Sequence, residues 1–185
     1  MKLNTLGMVH EFLKQNVREG MFCIDATAGK GRDTALLCQL VGKSGHVLAF
    51  DIQQEAVSQT NALLEQEGLQ ADVILDSHAN MERYAEAGTV DCIVFNLGRL
   101  PGGNRLIFTR AESSILAIDA GLDLLKPRGV MAIGLYYGKE NGYEEKNAVL
   151  QHLKAVDERA YTVLCCEWSN RHGDPPMPIY IWKEG

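Results

Sequence analysis

The chain has 185 residues, 46% hydrophobic and 23% charged, a length and balance that fit one folded domain (residues 1–185) and exclude a disordered or fibrous protein. A formal charge of -6 excludes a broad basic face that coats nucleic acid but leaves room for a local basic rim on an RNA. No apolar run reaches the ~20 residues that span a bilayer, and the opening MKLNTLGMVHEF lacks a secretory core, so the expectation is a cytoplasmic protein without a membrane partner.

Leu3, Leu6, Val9, His10 and Leu13 recur at helical spacing and predict a first helix to about residue 16. The apolar strand 21–24 ends on Asp25, the loop ATAGKGR follows, and a helix runs through DTALLCQLV to a stop at Gly42. A second strand, 46–50, ends on Asp51. A helix over 54–66 closes at Gly68, and a third strand, 71–75, ends near Asp76. These strands lack polar alternation, which predicts a parallel sheet covered on both faces.

The pattern continues with a helix over 79–86, a strand over 90–96 and a long helix over 104–125 stopped by Lys126, Pro127, Arg128 and Gly129. A fifth strand (130–136) and a helix (143–158) follow, and then two strands, 160–168 and 177–182, flank SNRHGDPP. Eight residues are too few for a parallel crossover, so this pair must form a hairpin. The expected fold is α/β: a Rossmann-like, doubly wound seven-stranded sheet, mostly parallel, with a C-terminal antiparallel hairpin and helices on both faces. Five cysteines without a Cys-x-x-Cys pair read as buried free thiols, with no metal site.

Ligands of such sheets bind beyond the carboxyl ends of the strands. Gly29 and Gly31 there allow close backbone approach, and first-turn amides can meet a carboxylate or other anion. The loop fits neither a P-loop nor the full Gly-x-Gly-x-x-Gly fingerprint. Asp51, 26 residues after Asp25, is placed to accept from a ribose diol. The acid Asp25 favours a cationic sulfonium over a pyrophosphate, which points to S-adenosyl-L-methionine.

Asn96 ends the fourth strand, where its amide oxygen could orient an attacking amine. Tyr136 and Tyr137 end the fifth, where a ring could stack on a base. Gly98, Gly102 and Gly103 with Pro101 let the next loop approach a ligand. Arg99, Arg105, Arg110, Lys139, Arg171 and His172 could form a phosphate rim, and Asn170 lies in the last loop beside the same sheet end. His10, His78 and His172 are the candidate proton acceptors.

The ordered set DATAGKGRD, AFDIQ, NLGxLPGG and a late Asn-x-x-x-x-Pro-Pro resembles, over essentially the whole chain, a small class I methyltransferase family of rRNA methylases. Its members include the methyltransferase that converts 5-aminomethyl-2-thiouridine at the tRNA wobble position to its methylaminomethyl form. The resemblance implies that Asp25, Thr27, Gly29, Gly31, Asp33 and Thr34 line the cofactor's amino-acid end. Asp51, Ile52 and Gln53 would meet its ribose and adenosine, and Ser77 and His78 would surround its adenine, with Asn96 and Gly98 beside the methyl group.

On the substrate side it implies a tRNA anticodon stem-loop; the strand-end positions assign His10, Arg99, Gly102, Gly103, Arg105, Tyr137, Lys139, Asn170 and Arg171 to meeting it, with Asn96 and Tyr136 catalytic. Arg99, the pair Asn104-Arg105 and Lys139 depart from the family pattern on that side. The expectation is N-methylation of RNA without a DNA partner, with a homodimer left open. The alternatives are an rRNA base or small-molecule amine as acceptor, and a noncatalytic adenosylmethionine-binding module. A nicotinamide oxidoreductase is a further rival that lacks its full fingerprint.

Overall fold

Alternate residues within the interior strands are buried on opposite faces, and this decides the architecture. In β4 (Val90–Leu97), Ile93 and Phe95 join one apolar cluster with Ile24, Phe50, Met131 and Ile133, while Cys92 and Val94 join another with Cys23, Val47 and Ala132. A side-chain period of two with both faces apolar demands a helical layer on each side. The computed structural model describes residues 3–98 and 108–185, apart from the side chains of residues 139–141.

One layer holds α1 (Thr5–Asn16), α2 (Arg32–Val41) and α3 (Gln54–Glu67), which supply Val9, Leu13, Leu37, Val41 and Leu64 to the second cluster. The opposite layer holds α4 (Ala111–Leu124) and α5 (Lys139–Leu153), with Ile118, Leu122, Val149 and Leu153 in the first. The strands are β1 (Phe22–Asp25), β2 (His46–Asp51), β3 (Asp72–Leu75), β4, β5 (Leu125–Leu135), β6 (Tyr161–Cys165) and β7 (Met177–Lys183). Their order is β3-β2-β1-β4-β5-β7-β6, parallel throughout except where β7 runs antiparallel to β5 and β6. The order reverses between β1 and β4, the switch point at which such sheets open a crevice.

Several boundaries differ from expectation for identifiable reasons. The fourth helix starts at Ala111 rather than near 104: Phe108 and Thr109 are not helical, and Arg110 is extended (φ -123, ψ 148), not a turn or more inside the helix. Thr109 is held instead by Gly98, donating its N–H to the glycine carbonyl at 2.8 Å and receiving the glycine N–H on Oγ1 at 2.6 Å. The start of the expected helix, 104–107, lies outside the described residues. Ser114 then donates to the buried Glu145 at 2.6 Å, tying α5 to the first turns of α4.

The stretch 126–129, expected to lie outside the sheet, stays in β5 because the β4–β5 register slips between Val90 and Cys92. Arg128 takes φ 66 there, and Lys126 pairs with Asp91 at 2.7 Å. The expected helix over 79–86 is a 3₁₀ helix, His78–Arg83, capped by the Ser77 hydroxyl. The helix expected over 143–158 starts and ends earlier. Cys23, Cys38 and Cys92 are buried, but Cys165 is exposed on the edge strand β6, which corrects the expectation of uniformly buried thiols. Among the described residues no helix is long and apolar enough to cross a membrane.

Candidate functional site

A cavity of ≈ 320 Å³ opens at the switch point, walled by the ends of β1, β2 and β4. Its floor is fixed by Asp25, which is wholly buried. Asp25 Oδ2 accepts from Thr34 Oγ1 at 2.6 Å and Oδ1 accepts from the Thr27 N–H at 3.1 Å, so the glycine loop is latched onto α2. Burial, with the charge of Asp33 adding, pushes the Asp25 carboxyl up to about 7 against the pull of these two bonds. Asp25, Gly31 and Thr34 therefore stand behind the wall. Gly31, at φ 78, carries a different constraint from the one expected: a Cβ there would lie 2.9 Å from Thr60 Cα, so its smallness serves helix packing rather than ligand approach.

Asp51 stands on the opposite wall. Its Oδ2 receives the Gly29 N–H at 3.0 Å and its Oδ1 the Gln53 N–H at 2.9 Å. Each oxygen keeps a lone pair, in the geometry that accepts both hydroxyls of a vicinal diol. Burial raises the carboxyl's pKa against those backbone donors. Ile52, 59% exposed, and Gln53 continue this wall, and Asp76, Ser77 and His78 close its far end. Burial holds the His78 imidazole below its ordinary value, so a neutral ring meets the cavity.

The third wall is the end of β4. Thr27 Oγ1 accepts the Asn96 N–H at 2.7 Å, and the Asn96 side-chain amide donates to Asp33 Oδ2 at 2.6 Å. Asp33, 5% exposed, takes His10 Nε2 on its other oxygen, also at 2.6 Å. One carboxylate thus joins α1, α2 and β4. Among the described residues the Asn96 Oδ1 makes no hydrogen bond, and Asn96 lines the cavity. Gly134 faces it in the β4–β5 register.

Tyr136 lines the same cavity. Burial raises its phenol's pKa, and the charge of Asp33 adds to the effect, which leaves the ring neutral.

Of the residues expected at the site, Thr27, Gly29, Asp33, Asp51, Ile52, Gln53, Ser77, His78, Asn96, Gly98 and Tyr136 line this cavity. His10 reaches it through Asp33. Tyr137 and Arg171 line a second cavity instead, and Asn170 is exposed beside it. Arg99, Gly102, Gly103 and Arg105, and the Lys139 side chain, lie outside the described residues. Sequence reasoning passed over Lys30 and Arg32, exposed cations at the cavity mouth, and Phe108, Thr109 and Ser113 on its acceptor side. It also passed over Gly134, although an isolated glycine inside a strand signals a close approach.

Residues 47–182 match the family described as "Putative rRNA methylase". A crystal structure of an rRNA methylase from Clostridium thermocellum, described with the same qualifier, is 39% identical with a TM-score of 0.96 and 99% coverage of both chains. A Streptococcus mutans protein described, with that qualifier again, as a methyltransferase and solved in complex with SAH is 34% identical with a TM-score of 0.89 over 99% of each chain. The chloroplastic tRNA (mnm(5)s(2)U34)-methyltransferase of Arabidopsis thaliana is 35% identical over 188 residues, covering 95% of this chain and 67% of that protein.

Proposed function

The chain belongs to the rRNA methylase family and is an S-adenosylmethionine-dependent methyltransferase; on that premise we propose that it acts on RNA, methylating the 5-aminomethyl nitrogen of the wobble (2-thio)uridine in a tRNA anticodon stem-loop. Residues 1–185 serve this reaction as one class I methyltransferase domain. The activity named for the Arabidopsis relative supports the acceptor. The observation that carries the proposal is the amide of Asn96 on the cavity wall, whose nitrogen is committed to Asp33 while its oxygen has no partner among the described residues.

The residues present fit the cofactor. The cavity has the volume of a small-molecule site, and Asp51 offers two backbone-fixed oxygens to a ribose diol. The neutral His78 edge and Ile52 suit an adenine, while Thr27 and Asp33 lie toward the amino-acid end. When bound, S-adenosylmethionine supplies an electrophilic methyl group on a sulfonium whose sulfur leaves as a neutral thioether.

The chain's own part is placement and proton handling. Asn96 Oδ1 accepts one N–H of the acceptor amine and turns the nitrogen lone pair toward the methyl group. The amine must be neutral to attack, and the methylated nitrogen must then shed a proton. Asp33, on the cavity wall, is the carboxylate placed to receive it, with His10, whose side chain is 26% exposed, bracing its other oxygen. Tyr136 offers a neutral ring beside the acceptor on which a uracil stacks.

Incubation with tRNA bearing 5-aminomethyl-2-thiouridine, with unmodified tRNA and with rRNA, followed by nucleoside mass spectrometry, tests the assignment. Gain of one methyl group only at the aminomethyl nucleoside is the expected result; transfer to rRNA alone, or to none of the three, overturns it.

A further inference from the structure

A second cavity of ≈ 210 Å³ lies outside the cofactor crevice, between α5 and the β6–β7 hairpin. Strand direction places it on the functional side of the sheet. β6 runs parallel to β5, since both are antiparallel to β7, so the chain leaving Cys165 emerges at the same end as the chain leaving Leu135. Tyr136 and Tyr137, whose Cα atoms are ~3.8 Å apart, divide the two cavities between them.

The lining has a particular chemistry. The Lys146 ammonium sits 3.9 Å from the centre of the Tyr137 ring, and the Arg171 guanidinium carbon sits 3.4 Å from the centre of the Trp168 ring. Both platforms are braced. Trp168 Nε1 donates to the Pro176 carbonyl at 2.8 Å, and Tyr137 packs edge-on against Tyr143 at 5.9 Å, whose hydroxyl donates to Asp174. Arg171 spends part of its fork on the Leu3 carbonyl. Neither cation joins an ion pair among the described residues. Glu167 is a carboxylate on the same lining, and it is exposed.

Two half-buried cations that join no ion pair among the described residues, each laid on an aromatic ring, form a site for an anion attached to a flat group. A guanidinium stacked on indole presents its outer face to a further ring, and its remaining N–H groups and the lysine ammonium reach an adjacent phosphate. We propose that this second cavity is a nucleotide subsite of the RNA substrate. It takes the phosphate and stacked base of a nucleotide next to the one being methylated, with Lys146 and Arg171 on the phosphate and the Trp168–Arg171 stack under the base. This inference rests on the RNA reading above and adds Lys146 and Trp168 to the substrate surface.

The test uses the full chain and an anticodon stem-loop oligonucleotide carrying 5-aminomethyluridine. Its affinity is followed by fluorescence anisotropy over a series of KCl concentrations, beside methyl-transfer kinetics. Lys146→Gln and Arg171→Gln should each raise Kd roughly tenfold and reduce the slope of log K against log salt by about 0.7, the loss of one single-strand phosphate contact. Lys146→Arg should keep both near wild type. SAH titration and thermal melting should be unchanged in Lys146→Gln, which decides the matter if Arg171→Gln loosens α1 through its lost bond to Leu3.

Wild-type transfer with an unaltered Kd and salt slope in Lys146→Gln overturns the subsite alone. A wild-type chain that binds SAH but neither binds nor methylates the stem-loop overturns the RNA reading and the subsite with it.

Discussion

Gly134 and Asn96 face each other across β5 and β4, and a Cβ on Gly134 would stand 2.9 Å from Asn96 Oδ1. The same Cβ would lie 3.2 Å from Tyr136 Cε2. Gly134→Ala should therefore displace the amide oxygen and the aromatic ring together. We expect kcat to fall about tenfold or more and stability to drop by about 1–3 kcal/mol, with SAH affinity nearly unchanged. Unaltered kcat in a folded Gly134→Ala protein would show that the amide has room to move.

Asn96→Ala removes the 2.6 Å donor from Asp33 Oδ2, a carboxylate that is 5% exposed, and removes the only atom proposed to orient the amine. Turnover should fall by about two orders of magnitude while SAH affinity changes by no more than about threefold. Unfolding should be easier by about 1–3 kcal/mol, because a buried acceptor loses its partner. Steady-state kinetics beside calorimetric SAH titration separates the effects: equal losses in both would move Asn96 to the cofactor end.

Asp51→Ala should act in the opposite sense. Removing a carboxylate that accepts a diol through two charge-assisted bonds should weaken SAH binding by roughly 10- to 100-fold. Turnover at saturating cofactor should remain within a few-fold of wild type. Calorimetry reads the first and kcat the second, and a variant that binds SAH as tightly as wild type would take the diol away from Asp51.

The pH dependence of stability should carry the mark of Asp25. Burial raises its carboxyl from 3.8 to about 7 in the folded chain, with Asp33 and, less strongly, Asp51 adding like charge. The folded state keeps this proton where the unfolded chain has released it, so the group's contribution is full below about pH 4 and is lost as pH rises to about 7. Asp25→Asn should flatten that decline. Urea unfolding of the two proteins between about pH 4 and about pH 8 measures the difference, and parallel curves would remove Asp25 as its source.

What the sequence made legible was periodic. Ile24-Asp25 and Phe50-Asp51 read as strand ends because an apolar run buried on both faces stops abruptly at an acid, and the hairpin followed from loop length alone. What stayed hidden depends on contacts between distant residues. Asp33 lies 23 positions from His10 and 63 from Asn96, and nothing local in any of the three announces the bridge. Likewise, helix periodicity before residue 111 gives no sign that Gly98 holds Thr109 outside the helix. Lys146 reads as one charge on a polar helix face until Tyr137 is seen under it.

The order β5-β7-β6 also bears on how the chain assembles. The seventh strand of the sheet, Met177–Lys183, is an interior one, hydrogen-bonded on both sides. Until it emerges from the ribosome, β5 presents an open edge with Ile133 and Leu135 uncovered, and β6 has no neighbour to pair with. The nascent sheet is therefore a template for pairing with other chains until β7 is in place. Loss of those few residues would not trim a margin but leave a slot between β5 and the edge strand β6.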